Sequence, residues 1–113
     1  TVLCWYNCAM QEPETLVFPH TRAQDMGVII MSSARNDNFF SPSGDPPDDA
    51  FYRYTLAYPG VHVAILGLRD VERFRRIARA LVERGVDMPD DERRALEAYG
   101  ARMREEGRLE LHF

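Results

Sequence analysis

The residues best suited to bind an anion follow a short apolar run, in segment 67–70 and the helix predicted after it. Gly67 allows a ligand to approach the backbone closely, and a helix beginning at Val71 presents free N–H groups to an anion. Arg69 and Arg73 add guanidinium groups, which bind phosphate oxygens in a bidentate geometry. Two interpretations stay open here: a phosphate site, or a glycine turn with an aspartate helix cap and a solvated arginine face.

Composition excludes several other kinds of chemistry. All 14 basic residues are arginine, so the chain has no lysine for a Schiff base or a P-loop. The three histidines are too far apart in sequence to form a metal site, and we predict none. His20 falls on an apolar helical face and is expected to be a buried, hydrogen-bonded imidazole. Neither His62, within a strand, nor His112, in the C-terminal tail, is assigned a catalytic role.

Charge and cysteine content narrow the class of protein. The formal net charge is −4 with a pI near 5.3, so no overall basic field attracts nucleic acid or anionic lipid. No apolar run reaches the length of about 18 residues that a transmembrane helix needs. Cys4 and Cys8 are too far apart for a disulfide if the first strand includes both. We therefore predict two reduced thiols in a cytoplasmic protein that binds neither nucleic acid nor membrane.

The hydrophobic pattern alternates between strand-like and helix-like segments. A proline at position 19 indicates that the first helix is broken or restarted. The tail from Gly107 alternates with period two and is expected to be a strand or an extended arm. Segment 32–47 is rich in helix breakers and is predicted to be a long loop. The predicted strands are Val2–Tyr6, Val28–Met31 and Val61–Leu66, and the predicted helices are 12–25, Asp48 or Asp49 to Ala57, Val71–Glu83, and one from Pro89 onward.

Three successive βα units predict right-handed crossovers and a parallel sheet. Three parallel strands alone leave open edges and an uncovered apolar face, so we expect further strands or another chain to cover them. Ligands of parallel α/β folds bind at the carboxyl ends of the strands, here after Tyr6, Met31 and Leu66. Trp5 and Tyr6 are expected in the core. The adjacent residues Phe39 and Phe40 are predicted to form either a lid over a substrate or a contact to the rest of a barrel.

Landmarks along the chain resemble, in order, the last part of the aldo/keto reductase family. They are Tyr6-Asn7, Gly27-Val28-Ile29-Ile30-Met31-Ser32-Ser33, Leu56-Ala57-Tyr58-Pro59-Gly60-Val61, Ile65-Leu66-Gly67-Leu68-Arg69, and the helix that follows. The resemblance implies that residues 1–113 are the C-terminal portion of an NADP-dependent oxidoreductase domain. In this reading the chain is the last three βα units of a (β/α)8 TIM barrel, and therefore an incomplete barrel.

The resemblance also implies which residues contact NADP(H). Ser32 corresponds to the residue that approaches the pyrophosphate, and Met31 takes the place of a side chain that stacks on the nicotinamide. Gly67, Leu68 and Arg69 fall on the loop around the adenosine phosphate, and Arg73 matches an arginine that binds the 2′-phosphate. The family reduces a small carbonyl substrate with catalytic residues on earlier strands, so no catalytic residue is predicted here, and the chain alone is expected to be inactive.

Several positions depart from the family pattern. Leu3 replaces a glutamine that bonds the nicotinamide amide, Ser33 and Leu66 replace prolines, and Arg76 and Ile77 replace a pair that contacts adenine. Of these departures, Leu66, Arg76 and Ile77 favour an alternative: a non-catalytic interaction or regulatory module that retains the barrel-type scaffold.

Overall fold

The computed structural model describes residues 1–109 and contains one three-stranded parallel sheet, with strands in the order β1-β2-β3. The α/β class and the parallel pairing predicted from the sequence are therefore confirmed. The register pairs Trp5 with Met31 and Ile30 with Ala64. The third strand is shorter than expected because only two of its residues pair with β2. The strands are β1 (Val2–Trp5), β2 (Val28–Met31) and β3 (Val63–Ala64).

Local signals place some of the helix ends, whereas Asp49 precedes the helix at Ala50 without a side-chain cap bond and pairs with Arg53 instead. The first predicted helix is divided at Val17, and Pro19 lies in the first turn of the second piece, where its missing N–H costs nothing. Asp70 caps the fourth helix by accepting hydrogen bonds from the backbone N–H groups of Glu72 at 3.0 Å and Arg73 at 3.2 Å. The helices are α1 (Pro13–Leu16), α2 (Phe18–Ala23), α3 (Ala50–Leu56), α4 (Val71–Arg84) and α5 (Asp90–Glu105).

Helices and the long loop cover one face of the sheet, and the core lies there. Val28 and Ile30 of β2 are fully buried in it. Much of the core is aromatic: the Tyr6 and Phe18 rings lie 5.1 Å apart, edge to face. The prediction that Tyr6 is a core residue is confirmed. Both members of the pair 39–40 belong to this core, at 0% and 7% exposure, and not to a lid or to a contact outside the chain.

The other face of the sheet is largely uncovered within the described residues. We call it the open face, and it is formed by Leu3, Trp5, Ile29, Met31 and Val63. Leu3, Val63 and Trp5 are 54%, 48% and 41% exposed. The core assignment of Trp5 was therefore wrong, because alternate residues of a strand point to opposite faces and only one face is covered.

Two further expectations concern histidines and the tail. His20 is exposed, since Phe18 and Thr21 form the buried side of α2. Its assignment as a buried imidazole was wrong. The tail predicted as a strand or an extended arm from Gly107 forms a turn as far as Leu109, and the rest of the predicted alternation, at Leu111 and Phe113 with His112 between them, lies outside the described residues.

Candidate functional site

The carboxyl ends of β1 and β2 are joined through the side chain of Asn7. This residue is fully buried; its Nδ2 donates to the Ser32 carbonyl oxygen at 3.0 Å, and its Oδ1 accepts from the Ala9 N–H at 2.9 Å. A buried side-chain amide whose nitrogen and oxygen are both hydrogen-bonded holds its bonding partners in place. Asn7 therefore sets the position of the Ser32 backbone. The sequence signal for this role was the position of Asn7, a polar residue directly after an apolar strand.

Four of the six predicted cofactor residues line one cleft between the ends of β2 and β3. They are Met31, Ser32, Gly67 and Leu68, and the cleft has a volume of about 120 Å³. A Cβ added to Gly67 would meet nothing within 4 Å, so a ligand can approach its backbone. Small-molecule pockets are usually about 300 Å³ or larger. The cleft therefore accommodates one phosphate or sugar group, and the rest of a dinucleotide would lie outside it.

The loop after β2 forms a wall of this cleft in an unusual backbone conformation. Ser32, Arg35, Asn36 and Asp37 have φ angles of 65°, 51°, 52° and 70°. The left-handed region costs most side chains about 1–2 kcal/mol per residue, and somewhat less for Asn and Asp. Such strain persists where surrounding contacts impose it, and it is frequent at binding sites.

The interior of the cleft is acidic. Asp37 lines it together with Tyr52, and the Asp37 Oδ1 atom is buried without a hydrogen-bond partner. Burial raises the pKa of Tyr52; nearby Asp37 and Asp48 raise it further, and Arg73 opposes them. Tyr52 is therefore protonated at neutral pH. An unsatisfied carboxylate oxygen suits a hydroxyl donor, such as that of a ribose, better than a phosphate.

The two predicted arginines differ in what they contact. Arg69 is exposed beside the cleft residue Leu68 and takes part in none of the ion pairs formed within residues 1–109. Arg73 lies against the loop: its Nε is 3.3 Å from Asp48 Oδ2, an ion-pair contact without hydrogen-bond geometry, and its Cζ lies 4.7 Å from the centre of the Phe40 ring. Arg69 is the available cation, and Arg73 would have to leave Asp48 to bind a phosphate.

These residues fit NADP(H) in part. Ser32 and the backbone at Gly67 suit close approach of a polar group, and Arg69 suits a phosphate at the rim. Asp37 and Asp48 oppose a phosphate inside the cleft or at Arg73. The arrangement therefore supports binding of a nucleotide's phosphate at the rim and of a hydroxyl group inside.

His62, Cys4 and Cys8 do not line the cleft. His62 Nδ1 accepts a hydrogen bond from the backbone N–H of Val28 at 3.1 Å, which places its ring at the edge of the sheet. Cys4 and Cys8 are free thiols, as predicted. Burial raises the pKa of Cys8 to about 12, and a thiol that stays protonated is a poor nucleophile.

Within residues 1–109, no group of three or more His, Cys, Asp or Glu side chains is arranged to hold a metal ion. None of the helices in that range has both the length and the apolar character needed to cross a membrane. No protein-family model, curated protein or solved structure matches this chain significantly. The resemblance to aldo/keto reductases stays a prediction.

Proposed function

We propose that this chain is the C-terminal, cofactor-contacting part of an NADP(H)-dependent oxidoreductase similar to aldo/keto reductases. The observation that carries the proposal is the cleft at the carboxyl edge of the parallel sheet. Met31 and Ser32 meet Gly67 and Leu68 there although Ser32 and Gly67 are 35 positions apart in the sequence. Ligands of parallel α/β folds bind at this edge.

The open face supports a barrel. The interior of a (β/α)8 barrel is filled by layers of inward-pointing side chains, mostly branched aliphatic ones. Leu3, Ile29 and Val63 lie on the open face, which is the face such an interior requires. β1 and β3 are the outer strands of the sheet, so additional strands can pair with both. In this proposal those strands belong to preceding barrel units or to another chain.

Each residue then has a defined part in the reaction. When bound, NADP(H) supplies the hydride that reduces the carbonyl carbon of a small substrate. Met31 would lie against the nicotinamide side of the cofactor, Ser32 and the backbone of Gly67 would bind its polar groups, and Arg69 would bind a phosphate. The acid–base residues would be on the other strands. The reduced thiols accord with a cytoplasmic protein.

One observation favours a second candidate function. Arg73, the residue predicted to bind the 2′-phosphate, is already paired with Asp48. Arg76 also lies 3.6 Å from the same carboxylate. A protein that no longer binds a cofactor has no need to keep these arginines free. The alternative is therefore a non-catalytic interaction or regulatory module on the same scaffold.

Titration of the chain with NADPH separates the two functions. We expect Arg69→Gln to weaken NADPH binding about tenfold, the worth of one charge-assisted contact. Gly67→Ala should also weaken it, because the added methyl group occupies the space that the ligand needs. Arg79→Gln, another exposed arginine on α4, is the matched control and should bind like the wild type. Equal NADPH affinity in all four proteins would leave only the alternative.

The coding region upstream of Thr1 provides a second test. An Asp, Tyr, Lys and His at barrel spacing would support the reductase, and NADPH oxidation with a panel of aldehydes would then be measured for the longer protein. Turnover of NADPH by residues 1–113 alone would contradict the division of roles proposed here.

A further inference from the structure

The turn after α5 brings the chain back against the loop that follows β2. Gly107 has a φ of 72°. Its N–H donates to the Arg104 carbonyl oxygen at 3.1 Å, and the Arg108 N–H donates to that of Met103 at 2.9 Å. This pair of bonds is a Schellman motif, in which a glycine in the left-handed region ends a helix and reverses the chain. Arg108 and Leu109 therefore lie beside residues 70 and 74 positions earlier in the sequence, respectively.

Hydrogen bonds join this turn to the loop. The Arg35 Nε donates to the Leu109 carbonyl oxygen at 2.5 Å. The Asn38 Nδ2 donates to the Arg108 carbonyl oxygen at 3.3 Å, and the Asn38 carbonyl oxygen accepts from Arg108 Nη2. Leu109 is partly buried and packs against the hydrophobic core. We call these contacts, between Arg35 and Asn38 on one side and Arg108 and Leu109 on the other, the loop clamp.

The loop clamp bonds the first and last residues of a turn whose two central residues line the cofactor cleft. The Asn38 N–H donates to the Arg35 carbonyl oxygen at 3.1 Å and closes this turn. Asn36 and Asp37 lie between them, line the cleft, and have φ angles of 52° and 70°. Positive φ at both central residues is typical of a type I′ turn, which Asn and Asp tolerate. The clamp therefore holds the turn that forms one wall of the cleft.

Arg35 is the residue of this turn that most needs the clamp. Its φ of 51° lies in the left-handed region, which costs a side chain of this type about 1–2 kcal/mol. Such a conformation persists where surrounding contacts impose it. Here the side chain of Arg35 is held between the Leu109 carbonyl oxygen and the face of the Trp5 ring, whose centre is 4.4 Å from the guanidinium carbon. Loss of the contact with Leu109 would remove one of these two supports.

We propose that Arg108 and Leu109 are positioning residues, which keep the turn 35–38 in the shape that binds the cofactor. The inference rests on the proposed function, because it assigns the clamp a part in NADP(H) binding. Without the clamp, Arg35 would relax toward a negative φ, and Asn36 and Asp37 would move with it. The cleft has a volume of only about 120 Å³, so displacement of a wall changes which group fits.

Substitutions in the turn test this role by NADPH titration. Arg108→Ala removes the donor to Asn38 and should weaken NADPH binding about fivefold. Arg108→Lys keeps a donor at this position and should bind NADPH with an affinity between those of Arg108→Ala and the wild type. Arg94→Ala, at an exposed arginine of the same helix, is the matched control and should bind like the wild type.

Gly107→Ala displaces the turn without removing a side chain. A Cβ at Gly107 would meet nothing within 4 Å, so the substitution acts through the φ of 72°, which alanine adopts only with strain. It should also weaken NADPH binding, and it replaces Arg108→Ala if that variant does not fold. Gly85, at the end of α4, has a φ of 77° and an equally open position. Gly85→Ala is therefore its control and should leave the affinity unchanged.

The clamp itself is measured without cofactor. Trp5 is the sole tryptophan, and its contact with Arg35 makes its fluorescence sensitive to a displaced guanidinium group. Arg108→Ala should shift the Trp5 emission and speed hydrogen exchange at the amides of Asn38 and Phe40, whose bonds lie within the loop. Arg94→Ala should change neither. Wild-type emission and exchange in folded Arg108→Ala would overturn the clamp.

The two measurements together separate this inference from the proposed function. Faster exchange in Arg108→Ala with unchanged NADPH affinity would overturn the positioning role and leave the cofactor cleft in place. A wild-type chain that binds no NADPH would instead overturn the proposed function, and the role of the clamp in cofactor binding with it.

Discussion

The helix-covered face of the sheet and its open face are formed by the same strands but differ in how completely their groups are satisfied. On the covered side, the Tyr6 hydroxyl donates to Glu14 Oε1 at 2.6 Å, and Arg93 Nη2 donates to both the Tyr6 oxygen and Glu14 at 2.7 and 2.9 Å. Arg93 also lies 4.3 Å from the centre of the Tyr54 ring. The Tyr6 hydroxyl, Glu14 and Arg93 are thus bonded to one another, and Tyr6 itself is fully buried.

The open face and the adjoining strand ends show the opposite. Leu3 and Val63 are about half exposed, and the buried atoms Arg35 Nη1 and Asp37 Oδ1 have no hydrogen-bond partners. Unsatisfied polar groups cost stability unless something binds them. The covered side therefore holds the chain together, whereas the open side and its strand ends retain capacity for ligands or further strands. Substitutions on the two sides should therefore have very different effects on stability.

The largest expected effect is at Gly100, where α5 meets the turn after β1. A Cβ at this position would lie 2.5 Å from the Cys8 carbonyl carbon and 2.8 Å from the Ala9 nitrogen, and closer still to the Cys8 oxygen. Gly100→Ala should lower the free energy of unfolding by about 3 kcal/mol, because backbone cannot move aside as a side chain does. Urea denaturation measures it. Gly67→Ala is the control and should change stability by less than about 0.5 kcal/mol; similar losses in both would contradict the comparison.

Two valines on opposite faces give a matched pair. Val28 is fully buried and Val63 is 48% exposed. Val28→Ala should cost about 2–3 kcal/mol, since it removes two methyl groups from the core. Val63→Ala should cost less than about 1 kcal/mol, measured in the same urea series. In a longer protein in which other strands cover the open face, the cost at Val63 should rise toward that at Val28. An equal cost in both contexts would argue against a covered barrel interior.

The buried tyrosine predicts how stability depends on pH. Burial, followed by the hydrogen bond to Glu14, raises the pKa of Tyr6 above its ordinary value of 10. Above that pH the unfolded chain loses the phenol proton and the folded chain keeps it, so stability is lost as pH rises. Averaged between pH 10 and 11, the contribution of Tyr6 is about 1 kcal/mol per pH unit, because the unfolded phenol is only half deprotonated at pH 10. Tyr6→Phe should reduce the slope of unfolding free energy against pH by this amount between pH 10 and 11. An unchanged slope would place the titrating group elsewhere.

The smallest effect is expected at the cap of α4, near the strand ends. Asp70→Ala removes the acceptor of two backbone N–H groups and should lower the free energy of unfolding by about 1 kcal/mol. Asp70→Asn retains an acceptor and should recover most of that loss. Thermal denaturation of the three proteins checks this order. A cap effect larger than that of Val28→Ala would mean that the strand ends, and not the core, dominate stability.

The features that were predicted correctly depend on signals that are local in the sequence. Asp70 and the apolar spacing of α4 predict a helix over Val71–Glu83, within one residue of its observed end at Arg84. The clustering of Met31 and Ser32 with Gly67 follows from the parallel order, because parallel strands present their carboxyl ends at one edge. These features depend on neighbours in sequence or on one topological rule.

The missed features depend on contacts between distant segments. The apolar run 2–6 does not reveal which face is covered, so the exposure of Trp5 could not be inferred from it. The ion pair of Arg73 with Asp48 joins residues 25 positions apart with no periodic signal. The left-handed conformation of Arg35 has no glycine to indicate it. In each case the outcome is decided by tertiary packing, which a single sequence does not specify.

The free edges of the sheet also determine how copies of this chain can associate. If β3 of one copy paired with β1 of the next, the parallel order would continue, and each copy would contribute three strands. Two copies supply six strands and three supply nine, so identical copies cannot complete a ring of eight. Head-to-tail contacts that do not close grow into filaments. Unless other strands pair with these edges, copies of the isolated chain should therefore associate through them in concentrated solution.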